Sequence, residues 1–142
     1  MQSIVILSAQ RTAIGSFLGS LSGFSPAELG TFVAKSAISK ANVDANESEH
    51  SVFGNIITSS VAEAYLARDI ALRSGMPVSS SAMNVNRLCG SSVQAIISAM
   101  QMLQLEDCQL ALAGGAEVMS RGAYLLPNVR QCLRMAHSTA TD

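Results

Sequence analysis

Hydrophobic and polar positions alternate along the chain in blocks that predict helices and strands in turn. Apolar residues at helical spacing predict three helices, over about residues 26–41, 62–74 and 88–105. Short apolar runs between polar or glycine-rich segments predict four strands, over residues 3–9, 51–58, 82–86 and 109–115. The resulting order, β-α-β-α-β-α-β, is typical of a mainly parallel sheet with helices on its faces, and ligands of such sheets bind beyond the carboxyl ends of the strands.

Capping signals mark the ends of the first two predicted helices. Ser25 as the N-cap, Pro26 at the first helical position and Glu28 three residues after the cap form a capping box. Gly75 suits the C-cap of the second helix, and Pro77 stops its continuation. We therefore expect the first helix to begin at Pro26 and the second to end just before Gly75.

Apolar positions on the first and third helices predict which faces are buried. The predicted inward face of the first helix consists of Leu29, Phe32, Val33 and Ala37. The third helix has no charged side chain between Leu88 and Leu105, and Val93, Ile96 and Met100 lie at helical spacing, so we expect it to be buried nearly all round. Interspersed Gly, Ser and Gln residues favour a central helix of a soluble core over a membrane span.

Composition narrows the class of protein. Hydrophobic residues make up 49% of the chain and charged residues 13%, with a mean hydropathy of +0.32. Such an apolar chain of 142 residues is expected to bury some surface against another chain or domain. A formal net charge of −1, with Lys and Arg scattered, predicts no nucleic-acid or membrane partner. The first residues lack the pattern of a secretory or mitochondrial leader, which favours the cytoplasm.

Cys89 is the residue with the clearest chemical potential. It stands where the third predicted strand gives way to the third helix, and the helix dipole with the free N–H groups of a first helical turn stabilises a thiolate there. The alternative is a small buried hydrophobic residue, as free cysteines often are. The wide spacing of the three cysteines predicts neither a disulfide framework nor a zinc site. Cys108 and Cys132 open no buried helix and are predicted to be inert thiols.

Three spaced segments carry a family resemblance. They read Arg11-Thr-Ala-Ile-Gly-Ser-Phe17, Asn86-Arg-Leu-Cys-Gly-Ser91 and Ala113-Gly-Gly-Ala-Glu-Val-Met-Ser120. In this order they closely resemble the thiolases, acyl-CoA acetyltransferases that make or cleave a carbon–carbon bond beside a thioester. The resemblance implies that Cys89 is the nucleophile that takes an acyl group from coenzyme A, and that its backbone N–H helps to bind the oxyanion. It implies coenzyme A thioester as substrate, with no metal and no prosthetic cofactor.

The resemblance also implies a fold. Thiolases consist of two similar halves, each with a five-stranded mixed sheet, and a loop domain is inserted before the fifth strand of the first half. Residues 1–119 are expected to form an incomplete first half, an α/β domain with four of five strands in a mixed, mostly parallel sheet and helices on both faces. Residues 120–142 are expected to begin the loop domain. The complete protein is expected to be a homo-oligomer, a dimer or tetramer, in fatty acid metabolism.

Motifs that thiolases need for turnover do not occur in this sequence. The family carries a Gly-His-Pro histidine, an Asn-Glu-Ala-Phe segment and a second cysteine in Cys-x-Gly, whereas His50 and His137 each precede serine here. We therefore expect the isolated chain to be inactive in full turnover and poorly stable alone. The alternative interpretation is a non-catalytic thiolase-like remnant that serves in subunit association.

Several further residues have two interpretations each. Ser92 stands where thiolases usually have glycine, which is expected to alter packing near Cys89. Glu117 is either catalytic or holds a loop through hydrogen bonds, and the structural role is favoured. Gly114 and Gly115 are expected to permit close approach of backbone rather than to cradle phosphate. His50 is expected to be solvated in a polar loop. Phosphates of coenzyme A or solvent are the candidate partners of three arginines, Arg121, Arg130 and Arg134.

Overall fold

A central parallel sheet organises the protein. In a computed structural model, the described residues are 3–127, 129–132 and 139–142, with only the backbone described at positions 131 and 132. Their sheet has three strands, β1 (His50–Gly54), β2 (Ser81–Val85) and β3 (Ala111–Gly115), in the order β2-β1-β3. Both pairings are parallel, and Gly54 lies opposite both Val85 and Gly115. The carboxyl ends of the strands therefore meet at one edge.

Helices cover both faces of this sheet. The α-helices are α1 (Pro26–Ala41), α2 (Leu66–Arg73), α3 (Ser91–Gln104) and α4 (Val129–Cys132), and short 3₁₀ turns lie at Ala45–Glu47, Val61–Tyr65 and Met119–Arg121. Residues of α1 and α2 form one core with Phe53, and residues of α3 form a second core with Val52. Successive residues of a strand point to opposite faces, so the two cores lie on opposite sides of β1. The predicted α/β fold class is confirmed.

The predicted helix ends are confirmed where capping chemistry is local. Ser25 caps α1 and forms a capping box with Glu28, whose carboxylate accepts from the Ser25 N–H at 2.8 Å. The Ser25 hydroxyl also donates to this carboxylate, at 2.9 Å. The backbone and side-chain hydrogen bonds from Ser25 hold the pKa of the Glu28 carboxyl below its usual value. At the end of α2, Gly75 has φ of +96°, a conformation that favours glycine.

The strand predicted over residues 3–9 is wrong for this structure. The backbone there is irregular, and Val5, Ile6 and Leu7 are 70%, 76% and 55% exposed. A strand is stabilised by hydrogen bonds to a neighbouring strand, and in the described part of the chain this run has no such partner, although Ile4 and Ser8 are half-buried. The described sheet therefore has three strands where the sequence predicted four.

The predicted buried face of α3 is also wrong, and that of α1 is right only in part, since Leu29, Val33 and Ala37 are half-buried. On α3, Val93 and Ile96 are 62% and 47% exposed, while Ala95 and Ala99 are buried. On α1, Phe32 is 72% exposed, and the buried residues are small ones: Pro26, Ala27, Gly30, Thr31 and Ala34. Small side chains let a helix approach its neighbours closely, which the 3.6-residue period alone does not distinguish from burial of the larger apolar residues.

Candidate active site

Cys89 lies in the connection between β2 and α3, two residues before the first residue of the helix. Its thiol is free and the residue is exposed. It lines a cavity of about 190 Å³ at the carboxyl edge of the sheet. The other lining residues come from the ends of β1 and β3 and from the start of α3: Gly54, Ile56, Leu88, Ser91, Ser92, Gly115, Ala116 and Glu117.

Glycines at the strand ends make room for the start of α3. A Cβ at Gly54 would lie 2.7 Å from the carbonyl carbon of Ser91 and 2.8 Å from the backbone nitrogen of Ser92. A Cβ at Gly115 would lie 2.0 Å from Ser92 Oγ, and one at Gly114 would lie 3.0 Å from a ring carbon of Phe53. The predicted role of Gly114 and Gly115, close approach, is confirmed. Without a Cβ at Gly54, the turn that carries Cys89 can lie directly against β1.

The side chain that departs from the thiolase pattern lies inside this contact. Ser92 is exposed on the first turn of α3 and lines the cavity with Cys89. Its oxygen occupies the space beside Gly115 that any side chain at that position would need. Ser92 thus places a hydroxyl over the end of β3, within the cavity; that this alters packing relative to glycine stays a prediction.

Glu117 holds the loop that follows β1. Its carboxylate accepts hydrogen bonds from Asn55 Nδ2 at 3.0 Å, the Ile56 N–H at 2.9 Å and the Ile57 N–H at 3.2 Å. Asn55 Nδ2 also donates to the carbonyl of Ala116 at 3.0 Å. These contacts tie the ends of β1 and β3 together beside the cavity, so the favoured structural role of Glu117 is confirmed.

The remaining candidate residues lie away from Cys89. His50 is the first residue of β1, not part of a polar loop as predicted, and its Nδ1 is buried with no partner among the described residues. Cys108 is buried just before β3. Both are therefore at the amino edge of the sheet, opposite the cavity. Burial, together with the nearby carboxylates of Glu49 and Asp107, raises the pKa of the Cys108 thiol.

Among the described residues, no arginine lines the cavity around Cys89. Arg121 Nη1 donates to the carbonyl of Gly23 at 3.4 Å, which ties two exposed loops together. Arg130 is exposed on α4. Arg134, His137 and the side chain of Cys132 lie outside the described residues, so the two interpretations of the arginines stay open.

Neither a metal cluster nor a membrane-spanning helix is found among the described residues. Within residues 3–127, 129–132 and 139–142, no three His, Cys, Asp or Glu side chains come together in a group that would hold a metal ion. None of the helices in the same ranges combines the length and the apolar character that crossing a bilayer requires.

The family of this α/β chain follows from its similarity to known proteins. A family model described as "Thiolase, N-terminal domain" matches residues 4–142. The chain belongs to the thiolase family. It is 44% identical over 141 residues to beta-ketothiolase BktB of Cupriavidus necator, and 35% identical over 130 residues to the human mitochondrial 3-ketoacyl-CoA thiolase.

Solved structures agree with the sequence relatives. The chain matches a crystal structure of Bacillus anthracis acetyl-CoA acetyltransferase with a TM-score of 0.90, at 35% identity over 97% of the chain. It matches human mitochondrial 3-ketoacyl-CoA thiolase in complex with CoA with a TM-score of 0.89, at 34% identity over 94% of the chain. The match to BktB includes 99% of this chain but 36% of BktB. This chain spans 35% and 34% of the length of the two solved chains.

Sequence reasoning missed how the turn before α3 is built. Leu88 has φ of +49°, and Asn86 and Ser91 make hydrogen bonds around it. The polar residues that flank the apolar Leu88 were the available signal, because Asn and Ser side chains often bond nearby backbone groups in turns. Asn55 was missed for another reason: its partner Glu117 lies 62 positions further along the chain.

Proposed function

We propose that this chain supplies the acyl-accepting cysteine of an acyl-CoA C-acyltransferase, with Cys89 as the nucleophile of an acetyl-CoA C-acetyltransferase-like reaction. The observation that carries the proposal is the placement of an exposed, free thiol in a cavity between the carboxyl ends of β1 and β3 and the start of α3. Membership of the thiolase family supports the choice of substrate class. Claisen condensation or thiolysis then belongs to the complete enzyme.

The covalent step involves two carbon–sulfur bonds. The Cys89 thiolate attacks the carbonyl carbon of the acyl-CoA and forms a tetrahedral intermediate with a negatively charged oxygen. Collapse of this intermediate breaks the bond to the sulfur of coenzyme A, which leaves as a thiolate and takes up the proton that Cys89 lost. The product is an acyl thioester on Cys89. A second reaction then transfers the acyl group, so one difficult condensation is divided into two steps.

The oxyanion needs hydrogen-bond donors in fixed positions. We assign one of them to the backbone N–H of Cys89, as the family resemblance implies. The first residue of α3 is Ser91 and its N-cap is Gly90, so Cys89 stands at the positive end of the helix dipole. Loss of a single oxyanion donor typically costs about 2.7–4 kcal/mol of barrier.

The proposal also covers the division into domains and the cellular compartment. Residues 1–119 are proposed as the α/β domain and residues 120–142 as the start of a loop domain. The hydrogen bonds between Leu125 and Thr141, at 2.8 and 2.9 Å, support this, because they fold the second segment back on itself. A reducing compartment such as the cytoplasm is part of the proposal, since the thiol of Cys89 must stay reduced.

The test is intact-mass spectrometry after incubation of the purified chain with acetyl-CoA. We expect a single acetyl adduct that disappears in Cys89→Ala and remains in Cys108→Ala, the matched control. An adduct that persists in Cys89→Ala would place the acyl group elsewhere and refute the assignment. Absence of any adduct on the folded wild-type chain would show that these residues do not carry out the first half-reaction.

A second candidate function is subunit association without catalysis. Exposed apolar side chains favour it, among them Val93 and Ile96 on α3 and Phe32 on α1, because monomeric proteins rarely expose large contiguous apolar patches. A homo-oligomer is proposed for either function. Light scattering behind size-exclusion chromatography decides: a discrete oligomer without acetylation supports association alone, and a soluble monomer contradicts it.

A further inference from the structure

The residue before Cys89 has an unusual backbone conformation. Leu88 has φ of +49°, in the left-handed region that residues with a bulky side chain rarely adopt. The Leu88 side chain is 69% exposed, so burial of the side chain does not account for the conformation. Conformations of this kind persist only where the surrounding structure holds them.

Hydrogen bonds on both sides of Leu88 hold it in this conformation. The Leu88 N–H donates to Asn86 Oδ1 at 3.1 Å. The Leu88 carbonyl accepts from Ser91 Oγ at 2.6 Å and from the Ser91 N–H at 3.0 Å. The same hydroxyl of Ser91 accepts from the Arg87 N–H at 2.8 Å. The Ser91 side chain therefore bonds the backbone of both Arg87 and Leu88. Cys89 lies within the turn that these bonds close.

Ser91 is itself firmly placed. It is 4% exposed and is the first residue of α3. A Cβ at Gly54 would lie 2.8 Å from Ser91 Cβ, which shows how closely Ser91 packs against the end of β1. Its hydroxyl donates one hydrogen bond and accepts another, so it has a defined orientation. The turn that carries Cys89 is thereby fixed to the helix and to the central strand.

We propose that Ser91 is a positioning residue for Cys89: its hydroxyl holds Leu88 in the left-handed conformation and so sets the direction in which the thiol enters the cavity. The inference rests on the proposed function, because it assigns Ser91 a part in acyl transfer to Cys89. In this proposal Ser91 acts through the backbone of the turn. Small misplacements of a reacting group are costly, since transfer needs a defined approach to the carbonyl carbon.

The test compares Ser91→Ala with a matched control, Ser74→Ala. Ser74 is 7% exposed and its hydroxyl donates to the Ile70 carbonyl at 2.7 Å. The control variant therefore also lacks a buried hydroxyl, but at the end of α2. Intact-mass spectrometry gives two rates for Cys89: acetylation by acetyl-CoA, and alkylation by iodoacetamide, which depends on the exposure and ionisation of the thiol but not on its direction toward a bound acyl group. We expect Ser91→Ala to slow acetylation on the order of 10–100-fold, with alkylation changed by less than about twofold.

The outcomes separate this inference from the proposed function. Equal acetylation rates in wild type and Ser91→Ala overturn the inference, and so does a parallel change in both rates, which marks a general structural role. A wild-type chain that forms no adduct contradicts the proposed function instead. In that case the backbone conformation of Leu88, measured by NMR chemical shifts and couplings, tests the role of Ser91 without acyl transfer. Loss of the left-handed conformation of Leu88 in Ser91→Ala supports the inference, and its retention overturns the inference.

Discussion

Helices α2 and α3 pack on opposite faces of the same sheet, but they bury opposite kinds of side chain. α2 buries its large residues Leu66 and Ile70 completely. α3 buries Ala95 and leaves Val93 and Ile96 largely exposed. The core between α1, α2 and the sheet thus contains large buried side chains, whereas α3 contacts the sheet through small residues and presents its larger ones outward.

The two faces therefore contribute differently to stability and to the placement of the cavity. Burial of large apolar side chains is the main source of stability in a domain, so α2 and its neighbours are expected to carry most of it. The small-residue face of α3 lets its first turn reach the carboxyl ends of β1 and β3, where the cavity of Cys89 lies. The outward face of α3 remains available for association.

The largest expected effect is on the side of α2. Ile70→Ala removes a side chain that is 0% exposed and is expected to lower the free energy of unfolding by about 2–5 kcal/mol, because a cavity is left in a packed core. Ile96→Ala, at a position that is 47% exposed, is expected to change it by less than about 0.5 kcal/mol. Urea denaturation followed by circular dichroism measures both.

Similar losses in the two variants would remove the distinction between the faces. A chain with no cooperative transition would support the expectation of poor stability in isolation. A cooperative melt of a monomeric wild-type chain would contradict that expectation.

A glycine on each face gives the second prediction. Gly54→Ala places a Cβ 2.7 Å from the backbone of Ser91, which must move, whereas Gly30→Ala places one close to Cδ1 of Ile70, the end of a side chain rather than backbone. We expect Gly54→Ala to cost about 1–3 kcal/mol of stability and to slow acetylation of Cys89, since the turn is displaced. Gly30→Ala should cost less stability and leave the acetylation rate unchanged. Urea denaturation measures the stability of both variants, and intact-mass spectrometry measures their acetylation rates. A larger effect of Gly30→Ala than of Gly54→Ala would contradict the contact of α3 with β1.

The smallest expected effect concerns the two ends of α3. The raised pKa of Cys108 means that its thiol keeps its proton in the folded state at pH values where an unfolded thiol, with a pKa of about 8.5, has lost it. The free energy of unfolding should therefore be undiminished below about pH 8.5 and fall as the pH rises from there through the folded pKa. Urea titrations at several pH values should show a smaller fall in Cys108→Ala; an equal fall would contradict the assignment to Cys108.

Alkylation provides a second measurement of the same contrast. Iodoacetamide should modify the exposed Cys89 first, while Cys108 stays protected by burial and by its protonated state. Peptide mapping after a short reaction identifies the modified residue. Equal modification of the two thiols in the folded chain would refute the difference between the two ends of α3.

The sequence predicted elements well where the signal is local. The capping box at Ser25 depends on Glu28, three residues away, and Gly75 ends α2 through its own conformational freedom. The strand predicted over residues 3–9 failed because β propensity describes a run of residues, while a strand also needs a partner. The candidate thiol was found from its place between strand and helix, and its role in catalysis stays a prediction.

The sequence by itself determined the order of elements from α1 to β3, most helix ends and the position of Cys89 before α3, because these depend on residues a few positions apart. The tertiary structure decided which faces are buried and which groups surround the thiol. Glu117 reaches the N–H of Ile56 across 61 positions, and Ser91 packs on Gly54 of the central strand. Such contacts follow from how the layers pack together, and hydrophobic periodicity along the chain does not contain that information.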